Sequence, residues 1–153
     1  LFMLVGFLYD RRHTRRISDF GGLKKSMPIY ASIFLFTSFA SIGLPGLNGF
    51  VGEFMILMGS YPTFKVLTSV AAFGVVLAAI YMLWAYQRMF NGQLDNDENA
   101  VLSDLNSKEL VAVGPLLALM LFIGIYPSFI ESYVVQDVSV IYESISNLIG
   151  VSQ

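Results

Sequence analysis

Apolar residues fall along this chain in blocks separated by short polar or basic stretches. The blocks lack the alternation of a half-buried strand and, until the C-terminal tail, the single stripe of an amphipathic helix, so the surroundings they imply are lipid or other helices. Leu1 to Tyr9 is apolar but too short to cross a bilayer, which takes about 20 helical residues. With no basic n-region or small-residue cleavage site it does not read as a signal peptide, and the expectation is the end of a transmembrane helix that begins upstream. Asp10-Arg-Arg-His-Thr-Arg-Arg16 and the polar run Ile17 to Lys25 follow as an aqueous connection. Met27 to Gly43 is apolar again, opens on Pro28 at a first-turn position, and is rich in small residues such as Ala31, Ser32, Ser38, Ala40 and Ser41, which suit close helix packing.

A second apolar segment, Asn48 to Tyr61, is short for a span and ends at Pro62. The third, Phe64 to Phe90, is the longest, with Lys65 and Gln87-Arg88 at its ends and Tyr81, Trp84 and Tyr86 placed for an interfacial aromatic belt. Asn91 to Lys108 is polar. Asn106 with Glu109 three residues later predicts an N-cap and capping box for a helix over Glu109 to Tyr126, ended by Pro127. In the tail, Val134, Val138, Ile141, Ile145 and Leu148 recur at three and four residues, which predicts an amphipathic helix on a membrane surface or a neighbouring subunit. The fold class is therefore all-α, a polytopic transmembrane bundle. Residues 1–130 form part of one membrane domain and 131–153 a surface helix or tail.

Composition strengthens this picture. The chain has 153 residues, of which 56% are hydrophobic and 13% charged, and its mean hydropathy is +0.67, outside the range of an ordinary soluble domain. A net charge of -2 gives no reason to expect nucleic acid, and the absence of cysteine excludes disulfides and a cysteine-ligated iron–sulfur cluster in this chain.

The stretch GLPGLNGFVGEF, Gly43 to Phe54, concentrates the candidate chemistry. Gly43, Gly46, Gly49 and Gly52 each cost about 1 kcal/mol of helix propensity and Pro45 about 3 kcal/mol, so an unbroken helix is excluded here. Glu53 is the only charged residue between Ser26 and Phe64. One reading is a hairpin turning at the membrane interface, with Glu53 near headgroups. The other places Glu53 in the protein interior beside the break, where a carboxylate with a titratable proton serves proton movement. Its cationic partner would come from elsewhere in the protein. His13, among four arginines, is either part of a solvated basic loop facing headgroups or an acidic partner, or a proton relay, since its ordinary pKa is near neutrality. Lys24, Lys25, Lys65 and Arg88 read as interfacial anchors.

The ordered set Leu8-Tyr-Asp-Arg-Arg-His-Thr-Arg15, Gly21-Gly-Leu23, Gly43-Leu-Pro-Gly46, Asn48-Gly-Phe-Val-Gly-Glu-Phe54, Gln87-Arg-Met-Phe-Asn-Gly92 and Gly124-Ile-Tyr-Pro127 resembles the antiporter-like proton-pumping membrane subunits of respiratory complex I. The type is subunit M of bacteria, chain 4 of mitochondria, and the likeness runs to about Ile130. It implies the C-terminal part of such a subunit, with inverted repeats and broken helices. Leu1 to Tyr9 would end the tenth helix, Met27 to Leu44 would be the eleventh and the Glu53 segment the broken twelfth. Phe64 to Phe90 and Glu109 to Tyr126 would be the thirteenth and fourteenth. On that count the basic cluster near His13 and the Arg88 site lie on opposite sides, in tension with the positive-inside rule.

The resemblance further implies that Glu53 is the outermost proton-transfer acid, where related subunits L and N carry lysine, and that His13 and Arg15 match a recurrent motif. NADH, FMN, iron–sulfur clusters and quinone would belong to other subunits. Partners would be the neighbouring subunits L and N and lipids, in the bacterial cytoplasmic membrane rather than the mitochondrial inner membrane. A subunit of a multisubunit cation/proton antiporter and a non-conducting membrane scaffold are the alternatives.

Overall fold

The structure is a computed structural model that describes residues 1–94 and 96–149, with the side chains of 136–137 and 142–149 outside the description. Asp95 of the expected polar loop and residues 150–153 of the expected tail lie outside the described residues, as do the side chains of Ile145 and Leu148. Among the described residues all regular structure is helical. The order is α1 (Phe2–Arg12), a 3₁₀ turn (Ile17–Asp19), α2 (Leu23–Ser26), α3 (Pro28–Ile42), α4 (Asn48–Ser60), α5 (Lys65–Phe90), α6 (Asp97–Ala100), α7 (Ser107–Ile125) and α8 (Ser128–Ile149). Helices α5 and α7 are long and apolar enough to cross a membrane; α3 is apolar but shorter.

The core gathers at one end of the molecule. Phe34, Tyr86 and Phe90 stack, with centroids 5.0 Å apart for Phe34–Phe90 and 4.7 Å for Tyr86–Phe90, and Tyr30 lies 5.8 Å from Phe90. Each such pair adds about 0.5–1.5 kcal/mol beyond area burial. The Tyr30 hydroxyl donates to Leu4 O at 2.8 Å, which fixes α1 against α3. Tyr86 is thus a core residue rather than a belt aromatic, because its ring is the one facing α3. Trp84 and Tyr81 remain exposed, and the Arg88 guanidinium lies 4.9 Å over the Trp84 ring. The run expected as a simple aqueous connection, Ile17 to Lys25, also differs: Phe20 and Leu23 are buried in the core, and only the basic side chains between them and α3 face out.

These contacts fix how the elements run. The first turns of α3 meet the last turns of α5, while Ile56, Leu57 and Ser60 of α4 share a groove with Phe64, Leu67 and Thr68 at the beginning of α5. Helices α3 and α4 therefore lie end to end along α5. At 1.5 Å per residue α3 is roughly 22 Å and α4 roughly 20 Å long, each short of a 30 Å hydrocarbon layer, whereas α5 is roughly 39 Å. The expectation of two separate passes gives way to one broken path. With one pass fewer, the His13 cluster and the Arg88 end of α5 share one end of the molecule, and Gly22 N donates to Asn91 O across it at 3.2 Å.

That end is knitted by charge. Arg11 grips Glu109 with two hydrogen bonds of 2.8 and 2.7 Å and donates to Ser103 O at 3.1 Å. Glu109 also accepts from Asn106 N, completing the expected capping box of α7. Asp104 accepts from Ile29 N and Tyr30 N at 2.8 and 2.9 Å, so it caps α3, whose own N-cap residue, Met27, has no side-chain acceptor. Arg12 pairs with Glu98 and donates to Asn99 Oδ1 at 2.9 Å. A double-mutant cycle of Arg11→Gln and Glu109→Gln, read by thermal unfolding in detergent, is expected to give a coupling of about 1–2 kcal/mol; a coupling near zero would show that the pair does not hold α1 to α7.

Candidate functional site at the broken helix

Gly43 ends α3 in the left-handed conformation, φ 82°. Leu44 N bonds to Phe39 O and Gly43 N to Ala40 O, at 3.0 and 3.4 Å, the paired bonds of a Schellman motif. Pro45 then cannot extend the helix. Leu47 N returns to Leu44 O at 3.1 Å with Gly46 at φ 91°, the pattern of a type II turn with proline and glycine at its centre. Helix α4 starts at once. Backbone groups at the break are thus largely satisfied by the turn itself, and the remainder are covered by neighbours.

The covering contacts need glycine. At Gly49 a Cβ would run into Ala40 O and come within 3.1 Å of Ala40 C, so the first turn of α4 rests on the last turn of α3. On the other side, α7 crosses the turn at Gly124, where a Cβ would collide with Gly46 and Leu47. A cleft of about 360 Å³ opens beside the break. Thr37 and Ser41, one helical turn apart on α3, line it together with Asn48, Gly49 and Met120. Asn48 Oδ1 is buried and accepts no hydrogen bond among the described residues. A buried acceptor left so costs about 1–3 kcal/mol, and the cleft exceeds the roughly 30 Å³ share of a water molecule several times over.

Glu53 sits at this break. Its carboxylate lies against Gly43, close enough that a Cβ there would overlap Oε2, and its residue is half-buried. Measured along the path, Gly43 is roughly 22 Å from the start of α3, and Glu53 is about 10 Å of helix from Ser60 at the end of α4. The Glu53 helix is itself continuous; the interruption precedes it. Phe50 and Phe54, three residues before and one after Glu53, stack at 5.1 Å.

His13 is elsewhere. It ends α1 with φ 52° and ψ 21°, is exposed, and meets the Tyr9 ring edge-on at 5.9 Å, while Arg15 lies 4.7 Å over the same ring. Nearby, Thr14 donates to Asp19 at 2.6 Å. That bond, then Ser18 and the charges of Arg16 and Arg12, hold the Asp19 carboxyl below the usual carboxylate range. Because Arg11 touches Asp104 at the start of α3, His13 and Glu53 are separated by about the length of α3, roughly 22 Å. The two candidates are not brought together, and the acidic partner of the basic cluster is the Glu98 to Glu109 stretch of the same chain. Sequence reasoning missed Thr37 and Asn48. Their signal was available in the four-residue spacing of Thr37 and Ser41 and in the lone amide just after Pro45-Gly46. Among the described residues no group of three His, Asp or Glu side chains could hold a metal ion.

Residues 1–80 match the transmembrane family of NADH:quinone oxidoreductase and Mrp antiporters. The chain belongs to this family. Both Glu53 and His13 lie in the matched part. NADH-quinone oxidoreductase subunit M of Rhodobacter capsulatus is 45% identical over 137 residues, covering 88% of this chain and 26% of that protein. Subunit M of Rickettsia bellii is 38% identical over 149 residues, 97% of this chain and 29% of its own length. NADH-ubiquinone oxidoreductase chain 4 of Marchantia polymorpha is 38% identical over 150 residues, again 97% and 29%. The chain thus spans between a quarter and a third of these relatives. Among solved structures, respiratory complex I from Thermus thermophilus with bound NADH contains a chain that superposes with a TM-score of 0.75 and 34% identity, over 84% of this chain and 27% of that one. The resemblance drawn from the motifs, to the subunit M type, therefore holds, and the helical fold is that of a complex I membrane chain.

The glycine contacts make a two-sided prediction for family members carrying this stretch. Gly49→Ala is expected to lower stability by about 1–3 kcal/mol through overpacking on Ala40. Gly52→Ala, with nothing within 4 Å, is expected to raise it by about 0.5–1 kcal/mol through helix propensity. Thermal unfolding of the two purified variants checks this, and equal shifts would remove the close approach from the account.

Proposed function

We propose that this chain is part of a proton-translocating membrane subunit of a NADH:quinone oxidoreductase, and that Glu53 is the group that takes up and releases the proton at the broken helix. The observation that carries this reading is the level of Glu53. It is half-buried against the chain break, within a path whose two halves, roughly 22 and 20 Å, are together long enough to cross a hydrocarbon layer about 30 Å thick that neither crosses alone. The interfacial-hairpin reading needs the break at headgroup level, and the end-to-end run of α3 and α4 along α5 argues against that. An acid at such depth costs at least about 2.5 kcal/mol and is retained for ion or proton movement. Beside the same break Thr37, Ser41 and Asn48 supply polar atoms in a cleft large enough for water; Glu53 does not itself line this cleft, and in this reading water extends from it to the carboxylate. A family in which redox enzymes and antiporters share one fold fits a chain with no redox chemistry of its own, and the names of the relatives favour the complex I member.

In this reading the chain is a polytopic bundle in the bacterial cytoplasmic membrane, NADH, FMN, iron–sulfur clusters and quinone are held by other subunits, and lysine partners of Glu53 come from parts of the protein beyond these residues. The shared basic end, with Arg15, Arg16, Lys24, Lys25 and Arg88, is the cytoplasmic side by the positive-inside rule. His13 then serves the basic loop, pinned by Tyr9, rather than the proton path. Helix α8 lies against a neighbouring membrane subunit of the L or N type, since Val134, Val138 and Ile141 stand 52–58% exposed along one stripe.

Glu53→Gln is expected to leave assembly intact and reduce proton pumping coupled to NADH oxidation by several-fold, because the amide keeps the shape and loses the titration. Proteoliposomes carrying the whole complex measure this, and an unchanged proton-to-electron ratio would sink the role of Glu53. Sodium-dependent exchange without redox activity would instead mark an antiporter. For the tail, Val134→Glu with Val138→Glu is expected to weaken assembly of the complex on native gels while the chain itself stays folded; normal assembly would count against docking through α8.

A further inference from the structure

The structure assigns Gly43 a second task besides ending α3: we infer that it is the positioning residue for Glu53, its bare Cα forming the seat on which the carboxylate rests at the helix break. The inference rests on the proton-handling reading of Glu53, but its geometry stands on separate observations. Of the two glycines in the break with positive φ, only Gly43 touches Glu53. A methyl group at 43 would overlap Oε2 and stand 3.3 and 3.8 Å from Cδ and Oε1, whereas one at Gly46 would meet nothing within 4 Å. Both positions put an L side chain under comparable backbone strain, with φ 82° and 91°. Strain is therefore common to the two, and collision with Glu53 belongs to one.

Seating matters because α4 fixes only the Cα of Glu53. A glutamate has three rotatable side-chain bonds, and a carboxylate that must exchange a proton with one neighbour has to be held within hydrogen-bond reach of it. The last turn of α3 provides that hold without a hydrogen bond: its end at Gly43 leaves a Cβ-less notch facing α4, and Gly49 on Ala40 sets how closely the two helices approach. Any side chain at 43 closes the notch and turns the carboxylate away. The sequence signal is the ten-residue interval between Gly43 and Glu53 across a Schellman end and a type II turn, which brings the fifth residue after Asn48 back over the end of α3.

Gly43→Ala and Gly46→Ala in the assembled complex test this. The infrared bands of the Glu53 side chain, identified by their loss in Glu53→Gln, are expected to move in Gly43→Ala and stay in place in Gly46→Ala, and pumping per electron is expected to fall at least several-fold further in the former. Shortening the acid in Gly43→Ala/Glu53→Asp is expected to recover part of that loss. If Gly43→Ala fails to assemble while Gly46→Ala assembles, adding Glu53→Ala restores assembly where the collision is the cause. An unmoved band, equal losses in both glycine variants, or no recovery in the shortened or truncated acid overturns the positioning role. Failure of Glu53→Gln to alter pumping would instead remove the function, leaving the infrared comparison to judge the seat by itself.

Discussion

A helix that breaks among apolar neighbours must hide its own backbone ends, and most of this molecule follows from how that is done at Gly43 to Leu47. Two turns of fixed chemistry absorb part of the demand, a Schellman end and a proline-glycine turn. The rest is met by bringing other backbone in close, Ala40 against Gly49 and the Gly46 turn against Gly124 of α7. Close approach needs residues without Cβ, so the glycines do not merely loosen the chain; they allow three helices to converge on one point. Where they converge, a cleft with hydroxyl and amide atoms remains, and the one acid of the region lies against Gly43 at the same break.

The opposite end obeys a different rule. There the chain meets polar surroundings, and charges replace glycine as the means of holding helices together. Arg11 with Glu109, Asp104 on the start of α3, and Arg12 with Glu98 tie α1, α3, α6 and α7 through contacts 74 to 98 residues apart in sequence. Of these, the half-buried, bidentate Arg11–Glu109 pair holds geometry better than an exposed pair such as Arg12–Glu98 does. The polar end and the glycine-packed break, roughly 22 Å apart, thus hold the broken path by two different means.

Local chemistry was legible in the sequence wherever neighbours in sequence decide it. Pro28 opening α3, the Asn106–Glu109 capping box, the long α5 and the interruption at Gly43 are all of this kind. What the sequence hid were pairings across distance. Nothing in the run Asp10 to Arg16 distinguishes Arg11, clamped on Glu109, from Arg16, which faces out, and the pattern at Tyr86 is the same for a belt residue as for a core one. Likewise the break was plain, but whether it joins two passes or divides one depends on contacts of α4 with the start of α5, which periodicity does not carry. The depth of Glu53 hung on that same point.

Depth also decides between the two uses of a glutamate in such a place. At a membrane surface a carboxylate is hydrated in either conformation and its position is of little consequence. Inside the layer, water is confined to cavities that protein lines, so proton exchange by an acid there depends on which way its carboxyl group faces. The seat proposed on Gly43 would select among those orientations, and Gly43 is also the residue at which α3 ends. Breaking the backbone and half-burying the acid are thus linked: the interruption leaves both a cleft with polar atoms and the Cβ-less notch against which Glu53 lies, and an unbroken helix of the same composition would offer neither.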